Sequence, residues 1–244
     1  MKYVICSDIH GNLPALTVFL EIFNLKWKKN SKIICLGDIV GYSAEPSGCL
    51  SLVRKLADKV IKGNHERMLI NSQQRDYVNY FARRAIEISE GLLSEEEKVY
   101  ITGLPDNLVI DEDILICHGS PEDPDEYIFT PVEAGRAFQF MVENKVKLCF
   151  FGHTHIPGVF DCKGKFYYHE NKQMKLDKEK KYLINPGSIG QPRDNDKRGS
   201  FCVWDDKDHL LNFYRFEYNI KETVEKMEQK NFPRELASRL FYGR

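Results

Sequence analysis

The sequence is poor in the features that assign a chain quickly to several classes. Its seven cysteines are odd in number and show no CxxC spacing, which argues against both a disulfide framework and a thiolate zinc site. Cys6, Cys35, Cys117 and Cys149 lie inside apolar runs, where cysteine behaves as a small buried hydrophobe. No apolar run has the length of a membrane span. The opening stretch Met1-Lys2-Tyr3-Val4-Ile5-Cys6 is also too short for a signal peptide, so the expectation is a cytoplasmic protein with no membrane partner. Neither sign of charge dominates: 35 Lys and Arg stand against 36 Asp and Glu, a net charge of −1. A strong nucleic-acid surface is therefore not expected. A small anionic substrate stays open, because a metal site brings its own positive charge. Repeats and long flexible linkers are missing too, which favours a single domain over residues 1–244. Oligomeric state has no signal in the sequence.

What is present is a series of short apolar runs that each end in polar residues. Tyr3-Val4-Ile5-Cys6 reads as a buried strand ending in Ser7-Asp8-Ile9-His10-Gly11-Asn12. Pro14 suits the first turn of a helix, with Leu16, Phe19, Leu20 and Phe23 at helical spacing behind it. Lys32-Ile33-Ile34-Cys35-Leu36 then leads to Gly37-Asp38, completing a β-α-β unit and implying a parallel pair. A second helix from Pro46 precedes Lys59-Val60-Ile61-Lys62, which enters a loop Gly63-Asn64-His65-Glu66. Residues 66–104 read as a helical insertion and partial lid.

The pattern resumes after the insertion. Leu108-Val109-Ile110 and Ile114-Leu115-Ile116-Cys117 suit a hairpin, followed by His118 and a Pro- and acid-rich loop. A helix from Pro131 precedes Leu148-Cys149-Phe150-Phe151, which ends in Gly152-His153-Thr154-His155. Later runs at 159–160, 166–169, 182–184 and 201–204 look antiparallel, and the lysine-rich stretch 172–181 reads as a solvated loop. Residues 219–244 read as two C-terminal helices broken near Phe232-Pro233.

Five strand-like runs thus end in potential ligands: Asp8 and His10, Asp38, Asn64 with His65, His118, and His153 with His155. Ligands gather at the carboxyl ends of strands in α/β sheets, so these five loops are expected to converge. Each alone has a plainer role, as a cap, a turn or a hydrogen-bonded structural histidine. Five together point to one site. Alternate residues of an extended segment share a face, which groups His153 with His155. Carboxylate and imidazole donors without thiolate suit manganese, zinc or iron. A shared carboxylate can hold two such ions ~3.5–4 Å apart around a bridging hydroxide. Asp38 is the natural bridge, since Gly37 and Gly41 leave its backbone room.

Taken in order, Asp8-Ile9-His10, Gly37-Asp38, Gly63-Asn64-His65-Glu66, His118 and Gly152-His153-Thr154-His155 resemble the calcineurin-like metallophosphoesterases. The resemblance spans roughly residues 3 to 190. It implies an α/β fold, a four-layer αββα sandwich of two mixed sheets flanked by helices. It also implies two divalent ions, manganese first and iron, zinc or nickel as alternatives. Asp8, His10, Asp38 and His155 would hold one ion, and Asp38, Asn64, His118 and His153 the other. By the same resemblance His65 would be the general acid in hydrolysis of a phosphodiester or phosphomonoester, and Asn64 and His65 would contact the phosphate. The implied substrate is a small or nucleotide-like phosphate.

Asn185-Pro186-Gly187-Ser188 looks like the bacterial and archaeal phosphodiesterase branch. Asp38-Ile39-Val40-Gly41-Tyr42 departs from the pattern of protein phosphatases and symmetrical dinucleoside tetraphosphatases. Gly41 stands where the former place a carboxylate, and Tyr42 where an arginine grips phosphate. Those two activities are the enzymatic alternatives, and Arg193 is a substitute phosphate contact. A non-catalytic protein-binding scaffold is a third alternative, but it would be expected to have lost ligands.

Overall fold

A computed structural model describes residues 1–168 and 173–244. The chain runs β1 (Lys2–Cys6), α1 (Leu13–Lys26), β2 (Ser31–Cys35), α2 (Pro46–Leu56), β3 (Lys59–Val60) and α3 (Asn64–Ile70). A 3-10 turn (Ser72–Tyr77) leads to α4 (Tyr80–Gly91), α5 (Glu95–Thr102), β4 (Asn107–Asp111), β5 (Ile114–Cys117), α6 (Pro131–Glu143) and β6 (Leu148–Phe150). The last part is β7 (Gly158–Asp161), β8 (Phe166–Tyr168), β9 (Gln173–Lys175), β10 (Tyr182–Asn185), β11 (Gly199–Asp205), β12 (Leu210–Phe216), α7 (Ile220–Gln229) and α8 (Arg234–Tyr242).

The strands form two six-stranded sheets, ordered β3-β2-β1-β11-β12-β9 and β4-β5-β6-β10-β7-β8. Both are mixed: β1, β2 and β3 run parallel, as do β5, β6 and β10, while the remaining strands pair antiparallel with their neighbours. Strand alternation explains the layers. Tyr3, Ile5, Ile34 and Leu36 face inward and meet Ile116, Phe150 and Ile184 of the other sheet. Val4, Cys6, Ile33 and Cys35 face outward onto Leu16 and Phe19 of α1 and Cys49, Leu50 and Val53 of α2. Leu115, Cys117, Cys149 and Leu183 cover α6 through Ala134, Ala137 and Met141. Apolar on both faces, these central strands carry continuous rather than alternating apolar runs. The outcome is helix, sheet, sheet, helix, the expected αββα layering.

Local signals place the helices. Asn12 accepts the Ala15 N–H to cap α1, Ser94 and Glu97 form a capping box on α5, and Thr130 with Glu133 does so on α6.

Three expectations need correction. The lysine-rich stretch contains β9, which pairs with β12, because edge strands tolerate and even favour charge; Lys172 lies outside the described residues. The later strands are not all antiparallel, since β10 runs parallel to β6 and antiparallel to β7. Gly63-Asn64-His65-Glu66 is not a free loop: Gly63 is the N-cap of α3, so Asn64 and His65 stand in its first turn. His169, expected to end β8, also lies outside the described residues. No described helix is long and apolar enough to cross a membrane.

Candidate metal centre

The loops that follow β1, β2 and β3 in one sheet and β5 and β6 in the other converge where the two sheets meet. Their backbones are stitched together: the His10 N–H donates to the Asp38 carbonyl at 2.8 Å and the Gly11 N–H to Ile39 at 2.7 Å. Asn185 binds the Gly152 carbonyl through its amide, and the Ser188 hydroxyl donates to the Asp8 carbonyl. The Asn-Pro-Gly-Ser segment therefore braces two ligand loops from behind. Gly37, at φ 91°, has no room for a side chain, because a Cβ there would lie 2.3 Å from the Gly63 nitrogen. The second and third loops touch backbone to backbone at that point.

Asp8, His10, Asp38, His153 and His155 all have φ between 51° and 67°. Non-glycine residues rarely adopt this left-handed region, and it is costly enough to require support from the surrounding fold. His153 and His155 consequently do not share the face of an extended segment. Each is turned individually, and they reach different parts of the centre.

Oxygen or nitrogen atoms of Asp8, His10, Asp38 and His155 lie within 4.8 Å of one another, as do those of Asp38, His118 and His153. Asp38 belongs to both groups. Its Oδ2 is 3.6 Å from His10 Nε2 and 3.4 Å from His118 Nε2, while Asn64 Oδ1 is 3.1 Å from His118 Nε2. All six residues of the two groups are buried.

Hydrogen bonds set the tautomers. His10, His118 and His155 each give Nδ1–H to a backbone carbonyl, of Val40, Leu36 and Gln191 at 3.2, 2.7 and 2.5 Å. His153 instead uses Nε2, 3.1 Å from the Asp125 carbonyl. Such bonds fix which nitrogen is left to bind a metal. With both Nδ1 atoms so engaged, His10 Nε2 and His155 Nε2 meet lone pair to lone pair at 3.1 Å, and Asp8 Oδ1 faces the second at 3.2 Å. Such an arrangement is repulsive without a proton or cation among the three atoms. A divalent ion satisfies all of them, so the donor set fits a metal.

Charge follows the same geometry. Burial alone would raise Asp8 and Asp38, but His155 beside the first and His118 beside the second hold both carboxyls below the usual range. Burial would lower His118, yet Asp38 and Asp8 carry it up to about 9. Burial takes His153 down to about 3 and His10 well below its ordinary value.

His65 belongs to neither ligand group. Its backbone N–H donates to Asp38 Oδ1 at 2.9 Å, its Nε2 is 3.9 Å from Asp38 Oδ2, and its Nδ1 has no hydrogen-bond partner among the described residues. Tyr42 and His10 meet the ring edge-on at centroid distances of 4.4 and 4.5 Å. Gly41, at φ 127°, closes the gap, since a Cβ there would sit 2.0 Å from Nδ1. Ring packing, not a carboxylate, orients this imidazole. Burial lowers it to about 4.

Three roles were not legible beforehand. Glu66, the last residue of the third motif, is buried and accepts the N–H groups of Asp38, Ile39, Val40 and Gly63 at 2.8–3.0 Å. It shapes the loop that carries Asp38. Burial and the Asp38 charge raise it to about 7, against the pull of the Val40 and Gly63 N–H groups. Asp125 fixes His153 through its carbonyl, and Arg67 holds Asp125 by an ion pair at 2.5 Å. Tyr127 stacks on His153 with 3.7 Å between ring centroids. A bulky aromatic in the acid-rich loop after His118 was the available signal for this last contact. Arg193 is half-buried, bonded to Gln191 Oε1 and 5.5 Å above the Tyr42 ring, close enough to Tyr127 for its charge to oppose the rise that burial causes there.

A calcineurin-like phosphoesterase superfamily domain matches residues 1–209, and the chain belongs to that family. It is 39% identical to uncharacterized protein MJ0912 of Methanocaldococcus jannaschii, over 98% of this chain and 97% of that one. It is also similar to a metallophosphoesterase from Sphaerobacter thermophilus, with 33% identity, a TM-score of 0.87 and coverage of 100% and 99% of the two chains. Hypothetical protein PH1004 from Pyrococcus horikoshii shares the fold at a TM-score of 0.82 and 21% identity, over 100% and 98% of the chains. The chain is accordingly a metal-binding phosphoesterase.

Proposed function

We propose that this protein hydrolyses a small phosphodiester or phosphomonoester with two divalent ions, manganese foremost, and that His65 is the general acid. One observation carries the division of labour. Four imidazoles in the centre are each locked through a backbone carbonyl, the pattern of metal ligands, and His65 has no such lock among the described residues.

Asp8, His10, Asp38 and His155 would hold one ion, and Asp38, Asn64, His118 and His153 the other, with Asp38 shared. When bound, the ions would supply an activated water and positive charge against the phosphoryl oxygens. Asn64 contributes a neutral donor, which adds no negative charge facing an anionic substrate. Arg193 contributes a cation at the rim of the same site. His65 is neutral in the substrate-free protein, and a phosphoryl anion beside Nε2 opposes the effect of burial, so the ring gains its proton as substrate arrives. That proton passes to the leaving oxygen.

The test is hydrolysis of a p-nitrophenyl phosphodiester by chelator-stripped protein. Activity should return with manganese, and Asp38→Asn should weaken both ions together. Inactivity with every divalent metal tried would overturn the reading.

A further inference from the structure

The loop between β5 and α6 carries two aromatic rings over the metal centre. Tyr127 lies on His153 with 20° between the ring planes, and Phe129 lies on Tyr127 at 5.2 Å and 7°. Ile128 between them is buried in the core beneath α6, while Tyr127 is 40% and Phe129 54% exposed. The stack thus runs His153, Tyr127, Phe129, with the exposed Phe129 ring at its open end and buried Ile128 anchoring the pair. Arg67 secures the start of the loop through the Pro124 carbonyl and Asp125, and Arg136 pairs with Glu126. The rings are therefore held in place before any ligand arrives.

Packing does not account for this pair: Phe129, the larger exposure, contributes little to the core. What it adjoins is informative. The stack starts on a proposed metal ligand, and Arg193 lies 5.5 Å above the ring of Tyr42, which packs on His65 in the same centre. A cationic, phosphate-accepting centre thus continues directly into a flat aromatic surface two rings away.

We propose that Tyr127 and Phe129 form a subsite for the base of a nucleotide, whose phosphoryl group occupies the centre and whose charge Arg193 meets. The inference rests on the phosphoester reading above. A pentose spacer separates phosphorus from base and lets the ring reach past Tyr127 to Phe129. Stacking on an aromatic face is indifferent to base identity and raises affinity roughly tenfold or more per base. Glu122 and Asp123 precede the rings in the same loop, and their charge disfavours a long polyanionic strand. The substrate is of mononucleotide or dinucleotide size.

Saturation-transfer NMR on the full chain with AMP should show transfer to the adenine protons exceeding that to the ribose. Phe129→Leu, which keeps an apolar side chain but removes the ring, should abolish that excess, and Phe129→Trp should restore it. With manganese, kcat/KM for thymidine 5′-p-nitrophenyl phosphate should exceed that for p-nitrophenyl phosphorylcholine by about tenfold, and Phe129→Leu should remove the preference. Both esters have the same leaving group. Equal kcat/KM for the two, or a preference that survives Phe129→Leu, overturns the subsite and leaves the esterase standing. Failure to hydrolyse either ester, with adenine transfer still dependent on Phe129, overturns the esterase instead.

Discussion

Replacing Glu66 by alanine should unfold the centre from behind without touching a ligand. The carboxylate accepts four backbone N–H groups, two on each oxygen, all buried. Each orphaned buried donor costs about 1–3 kcal/mol, so four would cost about 4–12 kcal/mol against a whole-protein stability of about 5–15 kcal/mol. Water entering the vacated space returns part of this. The expected loss is at least about 3 kcal/mol, or roughly 6–12 °C in Tm for a chain of this length. Glu66→Gln keeps the volume but turns an amide NH2 toward two of the donors, so it should fall about midway. Both variants should bind manganese more weakly, because the loop held by Glu66 carries the shared Asp38. Denaturant unfolding and metal titration read the two effects separately. A Glu66→Ala protein within 1 kcal/mol of wild type and with unchanged manganese affinity would refute the reasoning.

The other expectations concern the centre itself. His65→Ala should keep both metals while losing about 10²–10⁴-fold in turnover on poor leaving groups; equal loss of metal would make His65 a ligand. His118, carried up to about 9 by Asp38 and Asp8 against the effect of burial, holds a proton at neutral pH in the metal-free chain. Metal binding must displace that proton. Apparent affinity should therefore rise with pH up to about 9 and then level off, with close to one proton released at pH 7.5, read by calorimetry in two buffers; no release there would refute the assignment. The sign for the metal-free fold is the reverse: the stabilisation from His118 is full below its ordinary value near 6.5 and is lost as pH rises through 9. Arg67→Ala should change stability by only about 1 kcal/mol, since Asp125 is exposed. It should still weaken the second ion by about tenfold through His153, and metal analysis showing both ions at full affinity would refute the link.

The convergence of the ligand loops was legible because each combines two local signals, a continuous apolar run and a polar residue just after it. Asp8, Asp38 and His118 need nothing further. The path of the chain through these loops was not legible. Positive φ at His153 and His155 depends on neighbours from other loops, and extended geometry was the natural assumption for His-Thr-His. Glu66 carried no signal of its own, since a glutamate three residues after a glycine reads as a surface acid. Three of its four partners lie 26–28 residues earlier. β9 was hidden for a similar reason: a short polar strand at a sheet edge, within a lysine-rich stretch, looks like a loop until the partner strand is known. The aromatic clamp on His65 required Tyr42 and His10 to meet across two loops, and no spacing rule brings those positions together.

The division of the ligands between two sheets also orders events during synthesis. Asp8, His10, Asp38 and Asn64 lie in the first 64 residues and are made early, but His118, His153 and His155 follow much later. β1, which positions Asp8, gains its second neighbour only when β11 at Gly199–Asp205 has emerged. An emerging chain therefore offers scattered carboxylates, which bind divalent ions weakly, and a tight site arises only once both sheets have docked. Metal capture would then mark completion of the fold, and a truncated or stalled chain would carry none.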